Sequence, residues 1–462
     1  MSFIADAQTL EDLNLPGKYK PDSVYSLFNR VHTDGGANLL SVMFRNPLSD
    51  PEEINRRSTL FQYFEKKTLS FPFRKEVFGV AENYLGFAGG GNFLVDVLGT
   101  FRKKMLSAIV RNEEYEIVVT GLLATIEVLN VFKDFMGRLE DLEDLETPEA
   151  LEAPRRVGAE NPFRTQVRKT REIFDDKRLG WLREGMITPA SWITVARYDH
   201  LLRNVLRAEM KTVMEFIYHL DVCIAVSDVA RSKGFSYAHA LPGNRHVFQA
   251  AELRHPCLQK AVGNPVSLHR NSNVVFLTGA NMAGKSTFMK SYGIAVYLAH
   301  MGFPVAAQEM IFSVKEGIYS SINVPDNLNL GYSHFYAEVL RVRKVAEEVS
   351  RSMDLVVIFD ELFKGTNVKD AYDATLAVTE ALSEYRNCFF IISTHIIEVG
   401  EVLKERCGNL QFAYLPTVME GVVPRYTYQL EEGITADRHG MLIIENEGIP
   451  ELLLDKIDWG IL

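Results

Sequence analysis

The sequence predicts an all-α domain over residues 1–245, followed by an α/β domain with a parallel sheet over residues 246–462. Three observations carry this reading. Up to about residue 245, apolar residues recur at three- and four-residue spacing, as over 105–135 and 191–232, with few glycines inside the pattern. Beyond it, short apolar runs such as 273–278, 354–359 and 387–393 each end in a polar loop and lead into a helical pattern. Continuous apolar strands separated by helices mark a parallel sheet covered on both faces. Finally, 462 residues at about 150 per domain suggest roughly three domains, or two large ones.

In the first part, the helical patterns exceed the common length of about 8–20 residues, which predicts levers or arms rather than a compact bundle. Charge is segregated between them. Residues 139–152 hold seven acids and no base, whereas 155–183 hold nine bases and four acids. Pro148 and Pro154 predict a loop or hinge at that junction. Basic residues interleaved with Phe163, Phe174 and Trp181 would suit phosphate contact and base stacking, with Arg164, Arg168, Lys169 and Arg171 as the contact candidates. The alternative is a solvated face paired with the neighbouring acidic run. Gly86-Phe-Ala-Gly-Gly-Gly-Asn92 lacks a following Gly-Lys-Ser/Thr and reads as a flexible loop.

Composition narrows the class further. A net charge of −10 argues against a protein that coats nucleic acid non-specifically, though not against one local basic patch. With 47% hydrophobic residues, the chain is globular rather than disordered. Cys223, Cys257, Cys388 and Cys407 are scattered without a Cys-x-x-Cys pair, so buried free thiols are expected rather than a zinc ribbon or a disulfide framework. The N-terminus shows no basic-then-apolar leader, and no uncharged apolar stretch approaches the ~20 residues of a membrane helix. The expectation is a soluble cytoplasmic protein that does not engage a membrane.

The second part carries the strongest motif. Gly279-Ala280-Asn281-Met282-Ala283-Gly284-Lys285-Ser286, with Thr287 following, matches G-x-x-x-x-G-K-[ST]. The glycines let backbone N–H groups turn toward the phosphates of a nucleotide, aided by the positive end of the next helix. Lys285 would reach the β/γ-phosphates, and the Ser286 hydroxyl would ligate Mg²⁺. Asp360, ending the run Leu355-Val-Val-Ile-Phe, stands where a carboxylate contacts that Mg²⁺, and Glu361 could act as general base toward water. His395, after Thr394 at the end of another apolar run, could sense the γ-phosphate or cap the next helix. ATP and Mg²⁺ are the expected cofactors.

These residues resemble the MutS DNA mismatch-repair ATPases. Thr278-Gly-Ala-Asn-Met-Ala-Gly-Lys-Ser-Thr287 is similar to the family's T-G-P-N-M-x-G-K-S-T loop, whose Asn-Met pair is unusual among phosphate loops. Arg254-His-Pro256 resembles its R-H-P motif, and Gly263-Asn264-Pro265 the segment beside which adenine stacks, which implies nucleotide contact at Val262 and Asn264. The aromatic that the family places two residues before that glycine is Ala261 here. Residues 326–338, with Ser333 at the centre, are similar to D-D-L-x-x-G-x-S-T-F-x-x-E. The resemblance implies that Ser333 reaches the partner's ATP across a homodimer, as in ABC-type ATPases. Asp360-Glu-Leu-Phe-Lys-Gly-Thr366 resembles D-E-x-G-R-G-T, with Phe363-Lys364 in place of Gly-Arg. Residues 433–440 and 448–450 resemble the family's closing segment.

The helical part also fits. Thr33-Asp-Gly-Gly36-Ala-Asn-Leu-Leu40, Asn46-Pro-Leu48 and Ile54-Asn-Arg-Arg57 resemble the start of the family's core/lever domain, and Leu220-Asp221 to Ala230 its returning lever helix. The resemblance implies an ABC-type ATPase domain after an all-α core/lever domain, and double-stranded DNA as partner. The chain begins about twenty residues before the core motif, so mismatch reading by an intercalating N-terminal domain is not expected. The clamp is expected in reduced form near 139–183, and the C-terminal dimer contact in shortened form. The two functions in play are a DNA-binding ATPase linked to mismatch repair and an ATP-switched interaction protein acting on branched nucleic acid, a ribosome or a protein.

Overall fold

The computed structural model describes residues 3–17, 22–86, 113–144, 163–183, 192–280, 282–322, 334–420, 423–435, 448 and 452. The chain forms two compact units, one of Met1–Phe28, Met43–Ser58 and Val229–Leu462, the other of Asn29–Val42 and Thr59–Asp228. This division differs from a boundary at residue 245, because the first 28 residues and 43–58 pack with the C-terminal part.

The first unit is built on a seven-stranded sheet, ordered Ile4–Ala5, Gly317–Ser321, Leu355–Asp360, Phe389–Ser393, Val274–Gly279, Leu410–Leu415 and Glu431–Glu432. All neighbours are parallel except the last pair. Strand Val274–Gly279 is buried along its whole length, which explains why the central runs are apolar throughout rather than alternating. One sheet face packs Val357, Phe359, Phe390 and Ile392 against Val345 and Val349 of helix His334–Ser350 and Leu382 of helix Val368–Ser383. Each such fully buried side chain contributes about 1.5–3 kcal/mol. Helix Lys285–His300 is buried almost from end to end. A second, four-stranded sheet runs His239–Leu241, Glu309–Ser313, Val247–Leu253 and Asn264–His269.

The N-terminal strand Ile4–Ala5 is a two-residue edge addition that periodicity cannot show. Asp6, just after it, caps helix Ala7–Asp12 through Thr9 and pairs with Arg341 and with Lys344 at 2.7 Å. Partial burial pushes the Asp6 carboxyl up, but hydrogen bonds from Arg341, Lys344 and Thr9 outweigh it and hold the group well below its ordinary 3.8. A depressed carboxylate stabilises the fold above its unfolded-chain pKa and loses that contribution as pH falls through the folded value. Asp6→Asn should therefore lower the urea midpoint at neutral pH, and the gap to the unsubstituted protein should close progressively below 3.8. A gap that stays constant across acid pH would count against this ion-pair cluster.

In the second unit every described element is helical, including Lys75–Gly86, Glu113–Asp144, Arg164–Phe174, Trp192–His200 and the first part of Arg207–Lys233. Two of these helices meet where Gly121 faces Tyr84; a Cβ on Gly121 would lie 2.4 Å from that ring. Tyr84 donates to Asp199 Oδ1 at 2.6 Å, and Arg203 pairs with the same oxygen at 3.2 Å. Residues Tyr115–Leu139 are long and apolar enough to cross a membrane by length and composition, but half of the most apolar window is buried. Its buried Leu122, Ile126, Leu129 and Phe132 recur at helical spacing, as in a packed core helix. The pattern over 191–232 is not one continuous helix: a π-helical segment, Leu201–Val205, interrupts it. All four cysteines are free, with Cys223 and Cys388 buried and the other two half-buried.

Candidate active site

Strand Val274–Gly279 ends in the phosphate-loop motif, and helix Lys285–His300 begins on its lysine. The loop needs its glycines. Gly279 and Gly284 have φ of +142° and +105°, and a Cβ on Gly284 would meet the Tyr428 ring at 3.1 Å. Met282 also takes a positive φ, 71°, and is largely exposed at the loop tip. Asn281 lies outside the described residues. Lys285 is buried, and its Nζ donates to the carbonyls of Gly279 (2.9 Å) and Ala280 (3.2 Å). Burial pushes its pKa down, while Glu361 and Asp360 oppose the shift.

The carboxylates sit two strands away, with Phe389–Ser393 between them and the loop strand. Asp360 Oδ2 accepts from the Ser286 hydroxyl at 2.5 Å, and Oδ1 accepts from Ser393 Oγ–H at 2.5 Å. Ser393 Oγ and carbonyl also take the Glu361 N–H, at 3.2 and 3.1 Å. Sequence reading missed Ser393; its position before Thr394-His395 at a strand end was the available signal. Glu361 Oε1 meets His395 Nε2 at 2.5 Å. That hydrogen bond lowers the Glu361 pKa against the opposing effect of burial, with further help from the charges of His395, Lys285 and Lys364. Glu361 and Phe363 both have positive φ, 57° and 62°. Phe363 thus holds a left-handed conformation where glycine costs least, and its buried ring packs into the sheet-face core.

A cavity of about 500 Å³ opens beside the loop, reached by Val262, Asn264, Lys285, Ser286, Thr287, Glu361 and Tyr428. Asn264 does not present its amide to a ligand: Nδ2 donates to the Tyr428 carbonyl (3.0 Å) and Oδ1 accepts from Leu430 N–H (2.6 Å). It therefore fixes Tyr428, an aromatic on the wall that Ala261 cannot supply. Nothing local in the sequence links these residues, which are 164 positions apart. His255 also lines the cavity; burial and nearby Lys290 push its pKa down to about 4.

The remaining candidates are dispersed. Ser333 lies outside the described residues, as does the side chain of Arg164. Arg168, Lys169 and Arg171 are exposed on helix Arg164–Phe174, and among the described residues Arg168 makes only a long 3.9 Å pair with Glu172. Phe163 and Phe174 are not available for base stacking. They are buried, packing against Phe64, Phe216 and Phe132, because the apolar stripe of this amphipathic helix faces the core.

Comparison with known proteins adds a family context. Residues 275–458 match the family model for MutS domain V. DNA mismatch repair protein MutS of Streptococcus uberis is 24% identical over 307 residues, covering 64% of this chain and 36% of that protein. The protein of the same name from Lactococcus lactis subsp. cremoris is 25% identical over 313 residues, covering 65% and 36%. That from Streptococcus pyogenes is 24% identical over 310 residues, covering 65% and 36%. The chain spans about a third of the length of these curated relatives.

Proposed function

We propose that this chain, a MutS-family protein that covers only part of MutS, is a DNA-binding ATPase related to mismatch repair. ATP hydrolysis in its ABC-type P-loop unit would move the helical core/lever unit on DNA. The observation that carries the reading is the 2.5 Å bond between Ser286 and Asp360, which joins the phosphate loop to the carboxylate strand. Residues 74 positions apart are brought together at the carboxyl ends of parallel strands, where open α/β sheets bind ligands.

The residues present fit a Mg²⁺–nucleotide. Ser286 Oγ and Asp360 Oδ2 offer two oxygens in reach of one ion, and the described residues contain no cluster of three His, Cys, Asp or Glu. Most of the ion's ligands would then be phosphate and water oxygens, as Mg²⁺ prefers. When bound, Mg²⁺ neutralises charge on the β- and γ-phosphates.

The protein's own groups do the rest. Lys285, now resting on two loop carbonyls, exchanges them for phosphate oxygens. Ser393 holds Asp360 and the Glu361 backbone in register, and Glu361, held by His395, orients the attacking water and accepts its proton. The Tyr428 ring offers the adenine a face. Ser333 would complete the site of a second copy in a homodimer, and Arg164, Arg168, Lys169 and Arg171 would meet DNA phosphates.

Lys285→Ala should weaken binding of a fluorescent ATP analogue by about ten- to a hundredfold, the loss of charge-assisted hydrogen bonds to phosphate. Filter binding to homoduplex, mismatched and branched DNA and to RNA, with and without ATP, then tests the partner. Nucleotide-sensitive DNA binding supports the reading. Unchanged ATP binding in the variant, or no DNA bound in any condition, would overturn it.

A further inference from the structure

The helical unit holds a second concave site, of about 530 Å³, distinct in its residues from the nucleotide cavity. One wall is the 3-10 turn Lys177–Arg183, the other helix Trp192–His200. Lys177, Arg178 and Arg197 line it together with Trp181 and Tyr198, and the described lining includes no carboxylate. Arg178 is committed to Asp176, at 2.6 and 3.1 Å. Lys177 and Arg197 are exposed and make no ion pair among the described residues.

Two further features set this pocket apart from a solvated basic surface. The Trp181 ring stacks on Tyr198 at 4.0 Å and 25°, yet its buried indole Nε1–H has no hydrogen-bond acceptor among the described residues. Leaving a buried donor unmade is unfavourable, so among the described residues this corner of the fold lacks an acceptor. The π-helical segment Leu201–Val205 also borders the pocket, which His200, Leu201 and Val205 help to line. No proline or glycine over 200–207 forces that break. Such π segments are rare and recur at functional sites.

We propose that Lys177, Arg197 and the Trp181–Tyr198 pair form a pocket that binds a phosphate of a nucleic-acid strand and the ring next to it. Two exposed cations that make no ion pair among the described residues supply charge for a phosphate diester, and the aromatic pair supplies a stacking face. Helix Arg164–Phe174, with exposed Arg168, Lys169 and Arg171, runs in sequence straight into the turn that bears Lys177. A strand rather than a free anion is therefore the ligand, and this inference rests on the nucleic-acid reading above.

The test uses the full chain with fluorescein-labelled duplex and single-stranded DNA over a salt series. In Lys177→Gln/Arg197→Gln the slope of log K against log salt should fall by about 2 for duplex, roughly one for each phosphate no longer neutralised. Basal ATP hydrolysis without DNA should not change. Lys177→Arg/Arg197→Lys should keep the slope, which separates charge from misfolding. Trp181→Phe, which shortens the ring face stacked on Tyr198, should weaken binding without altering the slope. An unchanged slope in the double variant, with DNA still bound, overturns the pocket alone. No DNA bound by the unsubstituted protein overturns the pocket and the reading beneath it together. Inorganic phosphate or deoxyadenosine monophosphate displacing the strand at micromolar concentration would make this a small-anion site and overturn the strand assignment.

Discussion

Glu361→Gln should bind ATP as the unsubstituted protein does and lose turnover by roughly 10²–10⁴-fold, the usual contribution of a positioned general base. The amide has the size of the carboxylate and can still meet His395, which stands 2.5 Å away, so the site keeps its shape. What it loses is an acceptor for the water proton. The pH dependence carries a second signature. The His395 hydrogen bond lowers the Glu361 pKa from its ordinary 4.5, so the carboxylate stays ionised to a lower pH than an ordinary glutamate. Activity that depends on it should survive below 4.5 and fail only as pH drops through the depressed value. His395→Ala removes the first cause of that depression, so the acid limb should move upward, toward the ordinary value. Quenched-flow measurement of phosphate release across pH reads both effects. Normal turnover in Glu361→Gln would remove the general-base role. An unmoved acid limb in His395→Ala would remove the coupling.

The sequence disclosed the parts of this site whose physics is local. A strand, a glycine turn and a helix N-terminus succeed one another without interruption from Val274 to Thr287, so the loop could be read directly with the chemistry attached. Asp360 and Glu361 were legible for the same reason, as polar residues ending a continuous apolar run. Ser393 and Tyr428 were not, because their roles exist only once the sheet order places strands 33 residues apart side by side, or once Asn264 grips a backbone 164 residues away. The aromatics near 163–174 show the opposite error. Among many bases, Phe163 and Phe174 looked like stacking platforms, but their spacing puts them on the inner stripe of an amphipathic helix. The π segment at Leu201–Val205 has no clear sequence signature, since it contains neither proline nor glycine. The edge strand Ile4–Ala5 is too short to show a period.

Asp221→Ala should destabilise the helical unit by about 3–5 kcal/mol, the range for removing one partner of a buried charged network. Asp221 is fully buried, and its carboxylate accepts from three donor groups of one short segment and also meets the His32 ring. His32 N–H donates at 2.9 Å, Thr33 N–H at 2.8 Å and Thr33 Oγ1–H at 2.8 Å, and His32 Nδ1 lies 3.1 Å away. Thr33 then passes the constraint on. Its hydroxyl oxygen accepts the Gly36 N–H at 2.9 Å, so the side chain that caps helix Asp34–Arg45 is itself held by Asp221. Gly36 is part of the fit, because a Cβ there would come within 2.7 Å of both Asp221 Oδ2 and Thr33 Oγ1. Truncation to alanine leaves at least the Thr33 N–H buried without its acceptor and loosens the cap with it. Asp221→Asn keeps the volume and one acceptor oxygen, but its NH₂ must face an N–H or O–H donor, so its loss should be smaller but in the same direction. Thr33→Val removes the cap and one donor while sparing the Thr33 N–H bond, and should cost about 1–2 kcal/mol. Urea unfolding followed by helical circular dichroism orders the three variants. If Asp221→Ala proves no worse than Thr33→Val, the carboxylate is not the anchor of this helix start, and the cap stands on its own.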